Sequence, residues 1–211
     1  MPNRALTLIA VLLLAAPATA QTYTSPGAFS GAAGTPSYTE TFESVPIPKD
    51  AAFAAFTQAG ITYIGQAGTN VWVASPGYNN FGAGLNPTTT SILTANGDEN
   101  FLIQFLTPYS AVGFDVYYNG LGPATSSFYN GTTLLGSIFY NGAAFLGFNG
   151  YIASSSMPVT SVQFVSTLGG QLNTGIDNLA VYSTTATPEP STLPLLATGL
   201  AGLLLLRRRR A

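Results

Sequence analysis

No cysteine and no histidine occur among the 211 residues, tryptophan occurs once, and charged residues make up only 7% of the chain. Without cysteine there is no disulfide framework and no thiolate nucleophile. Without histidine the usual general base and the commonest zinc ligand are missing. Carboxylate chemistry and oxygen-ligated cations such as calcium are what remain. Positive charge is scarcer still, because Arg4 and Arg207, Arg208, Arg209 and Arg210 account for all but one of the six basic residues. Between the ends Lys49 stands alone against Glu40, Glu43, Asp50, Asp98, Glu99, Asp115 and Asp177, a formal charge of −6. Nucleic-acid binding requires a basic footprint that displaces phosphate counterions, so it is excluded.

What the chain does contain begins with an export signal. Arg4 precedes an apolar run from Ala5 to Ala16, and Ala18-Thr19-Ala20 offers small residues one and three positions before Gln21. A signal peptidase accepts that pattern, so residues 1–20 are expected to be removed, with the cut flanked by Ala18, Ala20 and Gln21.

At the other end, Leu193 to Leu206 is apolar apart from Thr198 and is followed by the four arginines. As a helix it spans about 21 Å, and Pro190 to Thr192 together with snorkelling arginines extend it toward a ~30 Å hydrocarbon core. The expectation is a transmembrane helix over 193–206 and a cytoplasmic basic tail over 207–211, with the arginines stopping translocation and the body outside.

The order Pro188-Glu189-Pro190-Ser191-Thr192, short apolar helix, arginine cluster and chain end resembles the PEP-CTERM sorting signal of Gram-negative bacteria that make exopolysaccharide. That resemblance implies recognition of Pro188, Glu189 and Pro190 by an exosortase in the membrane and removal of the tail near the triplet. Two prolines around Glu189 also hold the extended backbone that proteases bind. A permanent single-pass anchor on a proline-rich stalk is the alternative.

Between residues 38 and 183, runs rich in Val, Ile, Phe and Tyr are separated by Gly, Pro, Asn, Ser and Thr, the pattern of many strands joined by turns. Strands are predicted at 38–43, 61–64, 71–74, 91–94, 100–105, 111–118, 126–129, 132–140, 144–148, 159–165 and 175–182. Asn130-Gly131 and Asn141-Gly142 read as hairpin turns. Asp50 to Ala59 is the one segment with a helical look, and residues 21–37 read as an extended leader. Residues 184–192 form the linker that carries the triplet. The expected fold is all-β: an antiparallel, jelly-roll-like β-sandwich with one short helix.

"TFESVP" at 41–46, "AVGFDVYY" at 111–118, "VTSVQFV" at 159–165 and "GIDNLAVY" at 175–182 resemble the jelly-roll domains attached to this sorting signal, which are similar in layout to galactose-binding-like carbohydrate modules. That likeness implies a structural calcium shared by Glu43 and Asp177, with Asn178 as a further ligand. Period-two alternation places Asp177 on the face of Leu179 and Val181. Capping of neighbouring backbone amides is the alternative role for its carboxylate.

Trp72, Tyr78, Tyr117, Tyr118, Tyr129, Tyr140 and Tyr151 offer stacking faces for sugars, and the loop with Tyr78, Asn79 and Asn80 adds amides able to bind hydroxyls. Packing inside the sandwich is the competing role for each aromatic. Nothing selects a pair of carboxyls for glycoside hydrolysis, and a Ser-Lys dyad would have to use Lys49. The expectation is therefore a non-enzymatic protein, structural or adhesive in an exopolysaccharide or biofilm, with a polysaccharide-binding module as the alternative and a carboxylate-dependent glycoside hydrolase behind it.

Overall fold

The computed structural model describes residues 20–77, 89–96, 100–118, 120, 122–141, 143–166 and 174–183. Among these are thirteen strands, all antiparallel, and one helix. The centre of the architecture is β8 (Phe101–Tyr118), an 18-residue strand that joins two segments predicted as separate. Its first part pairs with β5 (Ile61–Gly65) on one side and β12 (Val159–Ser166) on the other. Its second part pairs with β11 (Phe145–Ile152) and β13 (Gly175–Ser183). Between the two parts Leu106, Thr107 and Pro108 are exposed, and the register with β12 slips. Pro108 has no N–H for a ladder, which suits a position where partners change.

Two layers follow. One runs β4 (Ala55–Gln58), β5, β8, β12, β9 (Ala124–Asn130) and β10 (Thr133–Tyr140). The other runs β1 (Gln21–Tyr23), β11, β8 and β13, with β2 (Tyr38–Glu40) and the series β7 (Ile92–Asn96), β6 (Asn70–Ala74) and β3 (Ala52–Phe53) beyond β13. Phe128 of the first layer meets Phe114 and Tyr151 of the second at ring-centroid distances of 6.1 and 5.1 Å, and Tyr140 meets Tyr118 at 5.6 Å. These contacts close the two layers on a shared core and make the molecule the antiparallel β-sandwich that alternation predicted.

Three local expectations are corrected. The segment 50–59 is not helical: it holds β3 and β4, and β4 forms a hairpin with β5 through Ala59 and Gly60, at φ 48° and 77°. Two positive-φ residues in sequence are what a two-residue hairpin of matching twist requires. Phe56 stacks on Tyr63 at 4.7 Å, so burial of an aromatic overrides the helix preference of the alanines. The predicted hairpin after β10 is not found between β10 and β11, because β10 pairs with β9 while β11 pairs with β1 and β8; Gly142 lies outside the described residues. At Asn130-Gly131 the hairpin is present, with Thr133 opposite Asn130 and Gly131 at φ 56°.

Residues 21–37 are the third correction. They form β1 and the helix α1 (Pro26–Ala33) rather than an extended leader. Ser25 caps the helix through its hydroxyl, Pro26 occupies the first turn, and Gly34 at φ 83° ends it, the arrangement that helix termini favour. The helix lies on the face of the second layer that points away from the core. There Gly150, Gly113 and Ala180 stand in register across β11, β8 and β13 and leave a shallow trough. Phe29, 1% exposed, fills it. A Cβ on Gly113 or Gly150 would lie 2.6 or 2.5 Å from the Phe29 ring, so glycine at both positions is what admits the helix.

Candidate functional site

The acidic residues near the start of β7 are engaged with one another's neighbours. Glu43 accepts from the Ser91 backbone N–H at 2.7 Å, from the Ser91 hydroxyl at 3.0 Å and from Lys49 at 3.2 Å. Lys49 also donates to the Ser91 hydroxyl at 2.6 Å. The Ser91 backbone bond, reinforced by Lys49, holds the Glu43 carboxyl below its usual range against the opposing effect of desolvation. A Ser-Lys dyad needs the amine to accept the serine proton. Here the ammonium donates, Ser91 gives its own proton to Glu43, and Ser91 is fully buried. The cluster ties the chain entering β7 to the 43–49 loop.

Beside it, Asp50 accepts from the Ser75 N–H at 2.8 Å and from the Ser75 hydroxyl. Burial pushes the Asp50 carboxyl up, but these bonds and the Trp72 indole outweigh it and leave it lowered. Trp72 is half-buried and packs, as Tyr117 does, against the cluster of Ala74 and Ile92. Tyr78, Asn79 and Asn80 lie outside the described residues, as do Ala18, Pro188, Glu189, Pro190 and Arg207 to Arg210. Ala20 and Gln21 are described, and β1 begins at Gln21 itself.

Asp177 is buried, 1% exposed, but not on the predicted face. The register of β13 against β8 steps from Asp177–Asp115 to Ala180–Gly113, so β13 carries one extra residue, and Asn178 sits at φ 50°. This β-bulge resets the alternation. Ile176, opposite Val116, takes the core-facing position, and Asp177 is turned to the far side with Asp115. Asn178 donates from Nδ2 to Asp115 at 2.8 Å, while its backbone N–H donates to Asp177 Oδ1 at 2.7 Å. Among the described residues Asp177 Oδ2 has no hydrogen-bond partner. Desolvation, only partly offset by the Asn178 N–H and the nearby Thr90 hydroxyl, pushes the carboxyl up to about 6, with Asp115 and Glu43 adding repulsion.

The implied calcium ligands each have a protein partner, and Glu43 lies near enough to Asp177 to add repulsion. Lys49 sits on Glu43, and the Asn178 amide is turned to Asp115. Among the described residues no group of three or more Asp, Glu, His or Cys is placed to hold a metal ion. Two carboxylates, one of them already ion-paired, make a poor cage for a cation that takes six to eight oxygens. Asp177 Oδ1 accepts from the Asn178 N–H, the kind of bond that capping of a neighbouring amide makes.

A different surface has the shape of a binding site. On the outer face of the first layer, Thr62, Gln104, Ser161 and Tyr129 stand in register across β5, β8, β12 and β9. Leu102, Gln163 and Ser127 form the next row. Of these, Leu102, Gln104, Tyr129, Ser161 and Gln163, with Gln66, Gly131 and Thr160, line a cleft of about 480 Å³. Amides and hydroxyls beside one half-exposed tyrosine give donors, acceptors and a stacking face in one place. Thr160 fixes the rim, accepting from the Gly131 N–H at 2.7 Å and donating to the Tyr129 carbonyl at 3.2 Å. Of this site the sequence singled out only Tyr129. Gln104 and Gln163 were legible as the polar positions between core residues of two strands, but pairing decides that they stand together.

Comparison with known proteins adds two findings. Residues 186–210 match the PEP-CTERM protein-sorting motif, so the chain carries that motif where the triplet, apolar run and arginines placed it. No protein of curated function matches the chain. Among solved structures it is similar to the K2 cleaved adhesin domain of Lys-gingipain, at 14% identity over 68% of this chain and 96% of that one, with a TM-score of 0.47. It is also similar to a xylan-binding domain from carbohydrate-binding family 22, at 12% identity over 73% and 98%, with a TM-score of 0.40. The C-terminal family 22 carbohydrate binding module of Clostridium thermocellum Xyn10B stands at 13% identity over 72% and 96%, with a TM-score of 0.40.

Proposed function

We propose that this chain is an exported protein that an exosortase processes at its C-terminus, and that its β-sandwich has a non-enzymatic, structural or adhesive role in the cell envelope or extracellular polysaccharide. The sorting motif at 186–210 carries this reading. A signal peptidase removes residues 1–20, the apolar run 193–206 holds the precursor in the membrane, and the arginines keep its end inside. The mass of the intact protein recovered from cells that make it tests the sequence of events. The expected species begins at Gln21 and lacks Leu193 to Arg210. A recovered species that keeps the arginines would establish a permanent anchor instead.

The cleft on the outer face of the first layer favours a second reading, a module that binds polysaccharide. Its lining runs across β8, β12 and β9, an extent suited to an extended chain of sugars, and Tyr129 supplies a ring for stacking. Tyr129→Ala is expected to weaken retention on extracellular polysaccharide about tenfold, the effect of losing one stacked ring in a small interface. Affinity electrophoresis of Tyr129→Ala, Gln163→Ala and Tyr78→Ala separates the cleft from the 78–80 loop. Unchanged retention of the first two variants with loss in the third would move the site to the loop.

A further inference from the structure

The first layer ends at β10, and among the described strands only β9 pairs with it. An edge strand presents a row of unpaired N–H and C=O groups, and natural edges are blunted with charge, proline or cover. β10, "TLLGSIFY", has neither charge nor proline, and β9 beside it and β12 beyond also carry no charged residue. The carboxylates of the body sit on other elements, so the net negative charge does not guard this edge. Instead the edge displays Leu134 and Phe139, 55% and 63% exposed.

The bulge in β10 makes these two residues a matched set. Leu135, Ile138 and Tyr140 pack on the core, and a Cβ at Gly136 would point at the Tyr151 ring. The register with β9 shifts between Leu134 and Gly136, so Leu135 and Gly136 together take one inward position. Leu134, Ser137 and Phe139 are left on the outer face, although Leu134 and Phe139 lie an odd number of residues apart. Run antiparallel against itself with the bulge counted, the strand is self-complementary. Ser137 falls on the two-fold axis, and each Leu134 falls opposite a Phe139.

The geometry points to β10 as the interface with a second copy of this chain, pairing antiparallel so that Leu134 faces the partner's Phe139 and Ser137 faces its own counterpart. The closed two-fold contact is isologous, with the same patch used by both copies. It joins the first layers of the two copies into one continuous sheet, hides the apolar pairs and satisfies the edge backbone. A foreign strand would satisfy the backbone equally but would not be required to match this spacing.

The natural absence of cysteine makes the test free of background. Directly opposed residues in an antiparallel pair have Cα atoms about 4.5–5.5 Å apart, within disulfide reach. Full-length Ser137→Cys in detergent micelles, mildly oxidised, is expected to give a disulfide-linked dimer. Thr57→Cys, exposed on β4 at the other end of the same layer, is expected to remain monomeric. Adding Phe139→Lys to Ser137→Cys should reduce the dimer at least about tenfold, and adding Leu134→Glu as well should restore it through the opposed charges. Because all these side chains face solvent, the core is untouched. Absence of a Ser137→Cys dimer, equal linking by Thr57→Cys, or a dimer indifferent to Phe139→Lys would each overturn the pairing. Failure of rescue by Leu134→Glu would overturn the register.

Discussion

Replacement of Phe128 by alanine is expected to lower the free energy of unfolding by about 3–5 kcal/mol, the usual loss for a buried phenylalanine. Phe128 is fully buried on β9 and touches Phe114 on β8 and Tyr151 on β11. Its ring spans the space between the layers, so truncation opens a cavity bounded by strands that cannot close on it without shifting the shared strand β8. The backbone of β9 stays paired with β10 and β12, which restricts collapse from the other side. Chemical denaturation followed by tyrosine and tryptophan fluorescence measures the change, with the slope against denaturant unaltered. A loss below about 1 kcal/mol would mean that the layers are not held through this ring.

The second large effect is an increase in stability. Asp177 is buried with one carboxylate oxygen unpartnered among the described residues, and its carboxyl is pushed up to about 6 from the usual 3.8. A folded state that binds the proton more tightly than the unfolded chain is favoured at low pH. Stability from this group is therefore fully present below pH 3.8 and is lost as pH rises to about 6, by up to about 3 kcal/mol. Asp177→Asn keeps the oxygen that accepts from the Asn178 N–H and carries no charge. It is expected to match the natural protein at pH 3.5 and to exceed it at pH 8, with a higher thermal midpoint and a flatter profile between. A variant less stable than the natural protein at pH 8 would show that a cation or another donor satisfies the carboxylate. In that case a chelator added to the natural protein should reproduce the loss, which brings the calcium question to the same measurement.

Alternation made most of the strands legible, because one face of each is packed on a common core. Phe101, Ile103 and Phe105, then Val112, Phe114 and Val116, are buried as period two requires. The helix was harder to read. "SPGAFSGAA" carries a cap, a proline and small residues, but only one large apolar side chain. Its reason to be ordered lies more than eighty residues away, in the glycines that form the trough. Conversely, the alanines of 50–59 resemble a helix until Phe56 is seen stacked on Tyr63.

Site residues divide along the same line. Asp177 was visible as a carboxylate among apolar residues, yet the bulge after it, which nothing in "GIDNLAVY" announces, put it on the opposite face. Trp72 was visible as the single tryptophan, and its packing against Ala74 and Ile92 appears only once the strands are paired. The glutamines of the cleft are unremarkable in sequence because an amide between two apolar residues is ordinary on any half-exposed strand.

By itself the sequence determined what depends on composition and local order. It established the missing cysteine and histidine and the acidic body, and the sorting motif could be read from a triplet, an apolar run and four adjacent arginines. Those features act as linear text, so no folding is needed to read them. The tertiary structure decided which strands are neighbours, where alternation is reset by bulges, and hence which side chains share a surface. Strand pairing brings together residues such as Gln104, Ser161 and Tyr129 across long sequence separations. One inserted residue reverses every face beyond it, so neither the cleft nor the self-complementary edge can be read before the register is known.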